Sequence, residues 1–175
     1  MLNTIFLIGY MGAGKSVVGK LLSQINGFNF YDLDEYIEAK EGKKVSKIFN
    51  QNNEVYFRKI ENKYLKEISL LKDNKIISTG GGTPCFQNNF EIINESPNST
   101  SIYLKANIDV LVNRLKDSID NRPIISHLTD EYKLKEFITK HLFERNYYYE
   151  KSKIKIVTDN LEPTEIVKLI ASKLA

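Results

Sequence analysis

The sequence predicts an α/β fold, a parallel sheet covered by helices on both faces, on three observations. Apolar runs of strand length recur at residues 4–8, 28–31, 75–78, 101–104 and 153–157, with longer helical patterns between them. That alternation is the signature of parallel strands, which are buried on both faces and joined by crossover helices. The first run passes directly into a glycine-rich segment and then into a helical pattern through Val17, Val18, Leu21 and Leu22. Finally, Phe57, Ile60, Tyr64, Ile68 and Leu71 recur at the spacing of one helix face.

Taken in order, strand 4–8 and its helix are followed by strand 28–31. The Phe57 stripe then makes a helix with Arg58 near its start, beside the buried face. Strand 75–78 ends on the glycine run of KIISTGGG, and strand 101–104 leads to a helix over 107–117. Residues 117–129, which contain Pro123, carry the least pattern and are expected to form a mobile loop. A helix over 129–149, strand 153–157 and a last helix from Pro163 complete the chain; proline suits a first helical turn, where its missing N–H has no partner to lose. Without repeats or a low-complexity linker, residues 1–175 read as a single domain.

Composition narrows the function classes. A chain of 175 residues with 42% apolar content is long enough to bury roughly 70% of its unfolded surface as one domain. A net charge of +3 with no long basic run gives no footprint for nucleic acid or a membrane surface, and suits a small anionic ligand better. No apolar run approaches the ~18 residues of a membrane span, and no basic region precedes the first strand. A soluble, unprocessed, cytoplasmic protein is expected. Cys85 is the only cysteine, which fits a reducing compartment, and it reads as a small buried hydrophobe rather than a nucleophile. Lysine is abundant, whereas arginine occurs only at 58, 114, 122 and 145; those four positions draw notice because only arginine offers a planar fork of donors.

GYMGAGKS, residues 9–16, matches G-x-x-x-x-G-K-[ST] between a strand and a helix. Gly9, Gly12 and Gly14 let backbone N–H groups face a polyphosphate at a helix N-terminus, Lys15 can reach the β- and γ-phosphates, and the Ser16 hydroxyl can hold Mg²⁺. A nucleotide-binding switch of the GTPase type would need an N-K-x-D element, and the Asn-Lys pairs at 62 and 74 lack the aspartate. The acid expected at a neighbouring strand end is absent from KIISTGGG and stands instead in FYDLDEY, as Asp32, Asp34 and Glu35. In an extended strand end, residues two apart point to one side. Asp32 and Asp34 are therefore expected to share a site, one facing the metal's water shell and the other an acceptor hydroxyl. Glu35 and Glu38 read as acids opening a solvated helix.

GYMGAGKS, FYDLDEYIE, IFNQNNEVYFRKIE, STGGG, DNRPI and ERNYYYE occur in the order seen in shikimate kinases, and this resemblance spans nearly the whole chain. It implies a three-layer P-loop kinase fold of the nucleoside-monophosphate-kinase type, with a five-stranded parallel sheet in order 2-3-1-4-5. It also implies a shikimate-binding helical region at about 33–61, a lid at about 117–129, and a monomer. The implied reaction moves the γ-phosphoryl group of ATP to the 3-hydroxyl of shikimate, in aromatic amino-acid biosynthesis. Carried over by position, Lys15, Asp34 and Arg122 are the catalytic residues. Gly12, Ala13, Gly14, Lys15, Ser16 and Val17 hold ATP, with Arg122 over its phosphates and Arg114 and Pro163 on either side of adenine. Asp34, Arg58 and Arg145 bind the acceptor, the arginines gripping its carboxylate. Gly80 and Gly81 offer it N–H groups, and Gly82 permits the turn. Ser16, and Asp32 through water, organise Mg²⁺.

Tyr147, Tyr148 and Tyr149 read as helix packing with polar tips, and His127 and His141 have no assigned role. Two departures from the family pattern stand out: the TDNLEP loop lacks a basic residue, and Thr83-Pro84 follow the glycines. The competing readings are another small-molecule kinase of this fold, such as a gluconate kinase, and a non-catalytic nucleotide-binding switch.

Overall fold

The computed structural model describes residues 3–116, 125, 128 and 130–174. Five parallel strands, β1 (Thr4–Ile8), β2 (Asn29–Asp32), β3 (Lys75–Ser78), β4 (Ser99–Lys105) and β5 (Ile154–Val157), form one sheet in the order β2-β3-β1-β4-β5. β1 lies at the centre. Successive side chains of a strand point to opposite faces, and Ile5, Phe6, Leu7 and Ile8 are all 0% exposed, so both faces of the sheet are covered.

The cover comes from α1 (Lys15–Asn26) and α8 (Pro163–Leu174), which pack together, and from α4 (Glu54–Ser69) and α5 (Asn89–Glu95), with α5 seated on β4. α2 (Leu33–Glu41) and α3 (Val45–Asn52) pack on α4, and α6 (Ile108–Lys116) packs on α7 (Glu131–Tyr149). Among the described residues no helix is long and apolar enough to cross a membrane.

Register is what builds the site. Asp32 pairs with Ser78, and Ser78 pairs with Leu7, so β2, β3 and β1 end level with one another. The N–H and hydroxyl of Thr79 both donate to the Leu7 carbonyl, each at 3.1 Å, which locks the ends of β1 and β3 together. Gly9, Asp32 and Gly80 are consequently delivered to one rim of the sheet, beyond the carboxyl ends of its strands, where open parallel sheets bind ligands.

Several boundaries differ from the sequence expectation. β2 runs one residue later than 28–31 because Asp32 remains in the ladder with Ser78. β4 extends back to Ser99 through its pairing with Thr4 on β1, and β5 begins at Ile154. α4 stops at Ser69, and Leu71, expected in its buried stripe, is exposed: the chain turns there toward β3, with Lys75 Nζ donating to the carbonyls of Leu71 and Asp73 at 2.6 and 2.9 Å. α7 begins at Glu131, after Asp130, whose carboxylate caps it by accepting from Lys133 N at 2.7 Å. The 3₁₀ turn Thr83–Cys85 and α5 were not foreseen, since elements of three and seven residues are too short to show a period. Most of the expected lid, including Arg122 and His127, lies outside the described residues.

Candidate active site

The loop after β1 is shaped by close contact. Gly9 has φ +142°, and a Cβ on it would stand 2.6 Å from the Leu104 carbonyl oxygen of the next strand, so no larger residue fits. Ala13 N donates to Tyr10 O at 3.1 Å, closing the turn. α1 then starts from Gly14, which offers no side-chain cap, leaving the first N–H groups of the helix to face a ligand. Lys15 curls back over its own loop, its Nζ donating to Gly9 O at 2.8 Å and Tyr10 O at 3.0 Å. A cavity of about 370 Å³ opens here, lined by Gly12, Lys15, Ser16, Asp32, Asp34 and Arg114 among others.

Arg114 bridges the nucleotide side of this cavity. Its Nη1 donates to Gly12 O at 3.2 Å and its Nη2 to Thr158 O at 3.5 Å. The TDNLEP connection thereby receives a cation from α6 in place of one of its own, and Asp159 is used to accept from Asn107 N at 2.8 Å. Pro163 opens α8 at the end of the same connection. Val17, carried over as an ATP contact, is exposed on α1 and also lines the cavity.

Asp32 and Asp34 do meet at one cavity, but not by strand alternation. β2 ends at Asp32, which becomes the N-cap of α2: its Oδ1 accepts from Asp34 N at 3.1 Å and from Glu35 N at 3.5 Å. A carboxylate that satisfies the first N–H groups of a helix favours helix initiation at that point. Asp34 is therefore in the first turn of α2, and the expected extended geometry is corrected. The second oxygen of Asp32 accepts from Ser16 Oγ at 2.7 Å, and Ser16 Oγ stands 3.4 Å from Ser78 Oγ. Glu35 is exposed as expected, whereas Glu38 accepts from Lys44 Nζ and Val45 N and joins α2 to α3.

The Asp34 carboxyl is pushed up to about 7, first by burial, then by the negative charges of Asp32 and Glu61, with Lys15 and Arg58 pulling the other way. It lies where the nucleotide-side cavity adjoins a smaller one of about 80 Å³, to which Arg58, Glu61, Gly80, Gly81, Gly82 and Arg145 contribute. Arg58 is buried in α4 and braced from one turn on either side. Its Nη1 donates to Glu61 Oε2 at 2.9 Å, and its Nε and Nη2 donate to Glu54 Oε1 at 3.2 and 3.1 Å. The i, i+3 and i, i+4 spacing makes these pairs meet. The guanidinium also lies over Phe86, 3.9 Å from the ring centroid. Arg145 enters from α7, its guanidinium 5.5 Å from the centroid of the Tyr10 ring.

The glycine run owes its composition to space. Gly82 has φ −87°, ψ −17°, a conformation open to any residue, so the expectation that it permits a turn is corrected. A Cβ there would lie 2.7 Å from Arg58 Nη2. On Gly81 it would press on Met11 N at 3.3 Å, and on Gly80 it would lie 2.9 Å from Thr83 Oγ1. Three missing side chains make room for an arginine, the phosphate loop and a hydroxyl.

Sequence reasoning overlooked Glu61, Phe86 and the second role of Tyr149, and marked Thr83 only as a departure from the family pattern without giving it a role. Glu61 could have been found, since it falls three residues after Arg58 on a recognised helix. Tyr149 packs as expected, its ring centroid 5.0 Å from that of Tyr103, but its hydroxyl also donates to Gly81 O at 2.5 Å. Burial raises that phenol far above its ordinary range, so it remains a donor. His141, left without a role, places Nδ1 3.3 Å from Tyr10 Oη. Cys85 is half-buried rather than buried, and it lines a cavity of about 520 Å³ that shares Phe49, Arg58 and Arg145 with the cavity of about 80 Å³. Burial pushes its thiol up to about 11, against the pull of Arg145 and Arg58, which keeps it protonated.

The donor set suits a magnesium nucleotide. No group of three or more His, Cys, Asp or Glu that could hold a metal occurs among the described residues. What lines the cavity is the hydroxyl of Ser16 against the carboxylate of Asp32, both hard oxygen donors beside the phosphate loop. Mg²⁺ is held in this sparse way, by one or two protein oxygens with phosphates and water completing the shell.

The family model for shikimate kinase matches residues 11–175. The shikimate kinase of Flavobacterium johnsoniae is 42% identical over 174 residues, covering 99% of this chain and 100% of that protein. The crystal structure of the shikimate kinase from Bacteroides thetaiotaomicron has 35% identity and a TM-score of 0.91, covering 98% of this chain and 97% of its own. The solved structure of the shikimate kinase from Acinetobacter baumannii in complex with shikimate has 27% identity and a TM-score of 0.90, covering 99% of this chain and 93% of its own. A gluconokinase from Sinorhizobium meliloti, at 15% identity and a TM-score of 0.56, shares the fold alone. With the family model covering all but the first strand and its loop entry, and relatives matching over nearly their whole length, the chain belongs to the shikimate kinase family.

Proposed function

We propose that the two adjoining cavities carry out ATP-dependent phosphorylation of the 3-hydroxyl of shikimate, giving shikimate 3-phosphate and ADP, with the residues in the following roles. The observation that carries this assignment is the place of Asp34, a carboxyl at the junction between a phosphate-loop cavity and one bearing two arginines. Arg58 and Arg145 hold the acceptor carboxylate, which a guanidinium fork grips through charge-assisted bonds. N–H groups of Gly80 and Gly81 approach the acceptor ring. Asp34 orients the 3-hydroxyl and takes its proton as the new O–P bond forms and the bond from the γ-phosphorus to the ADP oxygen breaks.

Phosphoryl transfer asks the protein mainly for positioning and charge stabilisation. Lys15 exchanges the carbonyls of Gly9 and Tyr10 for phosphate oxygens, and Arg122, which lies outside the described residues, is assigned with it to the phosphate charge. Arg114 and Pro163 flank the adenine. When bound, Mg²⁺ neutralises phosphate charge, and Ser16 with Asp32 through water are the residues that hold it. The acceptor region at about 33–61 corresponds to α2, α3 and the first half of α4. As the family resemblance implies, we read the working unit as a monomer, acting in the cytoplasm as the lone cysteine favours.

The test is a coupled assay of ADP release with shikimate, gluconate and CMP offered separately. Release with shikimate alone is expected. Release with gluconate or CMP but not with shikimate overturns the assignment, and release with none of them favours a nucleotide-binding switch.

A further inference from the structure

Glu61 is 1% exposed, and each of its carboxylate oxygens has a different partner. Oε2 accepts from Arg58 Nη1 at 2.9 Å, and Oε1 accepts from Thr83 Oγ1 at 2.6 Å. The terminal torsion of a glutamate is broad and two-fold, so a carboxylate held at one oxygen leaves its plane loosely set. Held at both, its plane is fixed, and so is the direction in which it draws the guanidinium.

Thr83 is itself held firmly. It is 0% exposed, its N–H donates to Gly80 O at 3.1 Å, and its carbonyl accepts from Asn89 Nδ2 at 2.9 Å. Asn89 Oδ1 in turn accepts from Asn62 Nδ2 at 2.7 Å. Asn62 follows Glu61 in α4, so the bonds run from α4 through the glycine turn and α5 and back to α4. Gly80 leaves space for the same hydroxyl, since a Cβ there would stand 2.9 Å from Thr83 Oγ1.

We infer that Thr83 is a positioning residue for the acceptor: its hydroxyl sets the plane of the Glu61 carboxylate and thereby aims the Arg58 guanidinium into the acceptor cavity. This rests on the reading of Arg58 as a grip on the acceptor carboxylate. Replacing the hydroxyl by a methyl group of the same size leaves Glu61 Oε1 buried without its donor, and the carboxylate turns to share both oxygens with Arg58.

The test compares Thr83→Val, Thr83→Ser and Arg58→Lys, with Thr83→Ala as a second hydroxyl-free variant should valine fail to fold. KM for shikimate, KM for ATP, kcat and Tm are measured for each. Thr83→Val and Thr83→Ala are expected to raise the shikimate KM roughly tenfold, the scale of one misaligned charge-assisted hydrogen bond from Arg58 to the acceptor, with the ATP KM within about twofold of the parent. Thr83→Ser restores the parent value. In an Arg58→Lys background Thr83→Val adds less than about twofold, because both changes act on one contact. Equal effects on both KM values, a lower Tm with unchanged kinetics, or failure of serine to rescue would each overturn the inference. If Arg58→Lys raises the shikimate KM and the hydroxyl-free variants do not, the Thr83 link alone is wrong. If Arg58→Lys leaves that KM unchanged, the assignment of Arg58 falls and the inference with it.

Discussion

Asp34 has a carboxyl on which burial and two neighbouring acids act against Lys15 and Arg58, and the acids and burial prevail, bringing it to about 7. A base must be ionised to accept a proton, so kcat/KM for shikimate, which reports the free enzyme, should climb as pH rises through about 7. Asp34→Asn should keep nucleotide binding yet lose turnover by roughly two orders of magnitude or more; a turnover close to the parent's would remove Asp34 from the mechanism. Stability has the opposite sign. Because the folded-state value is raised, the native protein binds a proton that the unfolded chain releases from about pH 4 upward, and stability falls with pH until about 7. Thermal scans should therefore show Asp34→Asn gaining Tm over the parent across that window and holding the gain above it, at ~2–4 °C per kcal/mol for a chain of this size. A gain that shrinks as pH rises would show that the carboxylate is stabilised in the fold.

At the scale of elements, α7 joins the glycine turn to the acceptor side. Arg145 and Tyr149 lie one turn apart on it, the first lining the acceptor cavity and the second anchoring Gly81 O through its hydroxyl. Tyr149→Phe keeps the ring against Tyr103 and removes only that donor. The expected outcome is a loss of about 1 kcal/mol, read as a Tm lower by ~2–4 °C, with the shikimate KM raised a few-fold and the ATP KM unchanged. An unchanged Tm and shikimate KM would mean that the turn holds its shape without Tyr149. Some elements were legible in the sequence because their signal is local. The α4 stripe of Phe57, Ile60, Tyr64 and Ile68 is buried as its spacing predicts. Other features were illegible for an equally physical reason. Asp32 could be read as strand or cap with equal ease, and the cap is chosen only because β2 stops at Ser78 of its neighbour.

At the scale of the molecule, the sheet order decides which distant segments become neighbours. β1 and β5 flank β4, so the phosphate loop and the β5–α8 connection open on the same side, and Arg114 spans them through Gly12 O and Thr158 O. Arg114→Ala should therefore raise the ATP KM several-fold while leaving the shikimate KM within about twofold, the reverse of the pattern expected for Arg58→Lys. Equal changes in both would place Arg114 outside the nucleotide side.

The phosphate loop, the succession of strands and longer helices, and the identities of the acids and arginines were legible in the sequence, because a contiguous motif and a hydrophobic period are encoded in neighbouring residues. Tertiary structure alone decided what those side chains touch. Level strand ends bring Ser16 to Asp32, and the approach of the glycine turn to α4 puts Thr83 on Glu61 and a guanidinium where Gly82 would have had a side chain. Such contacts join residues far apart in the chain, and their geometry follows from strand register and helix packing, which no local pattern records.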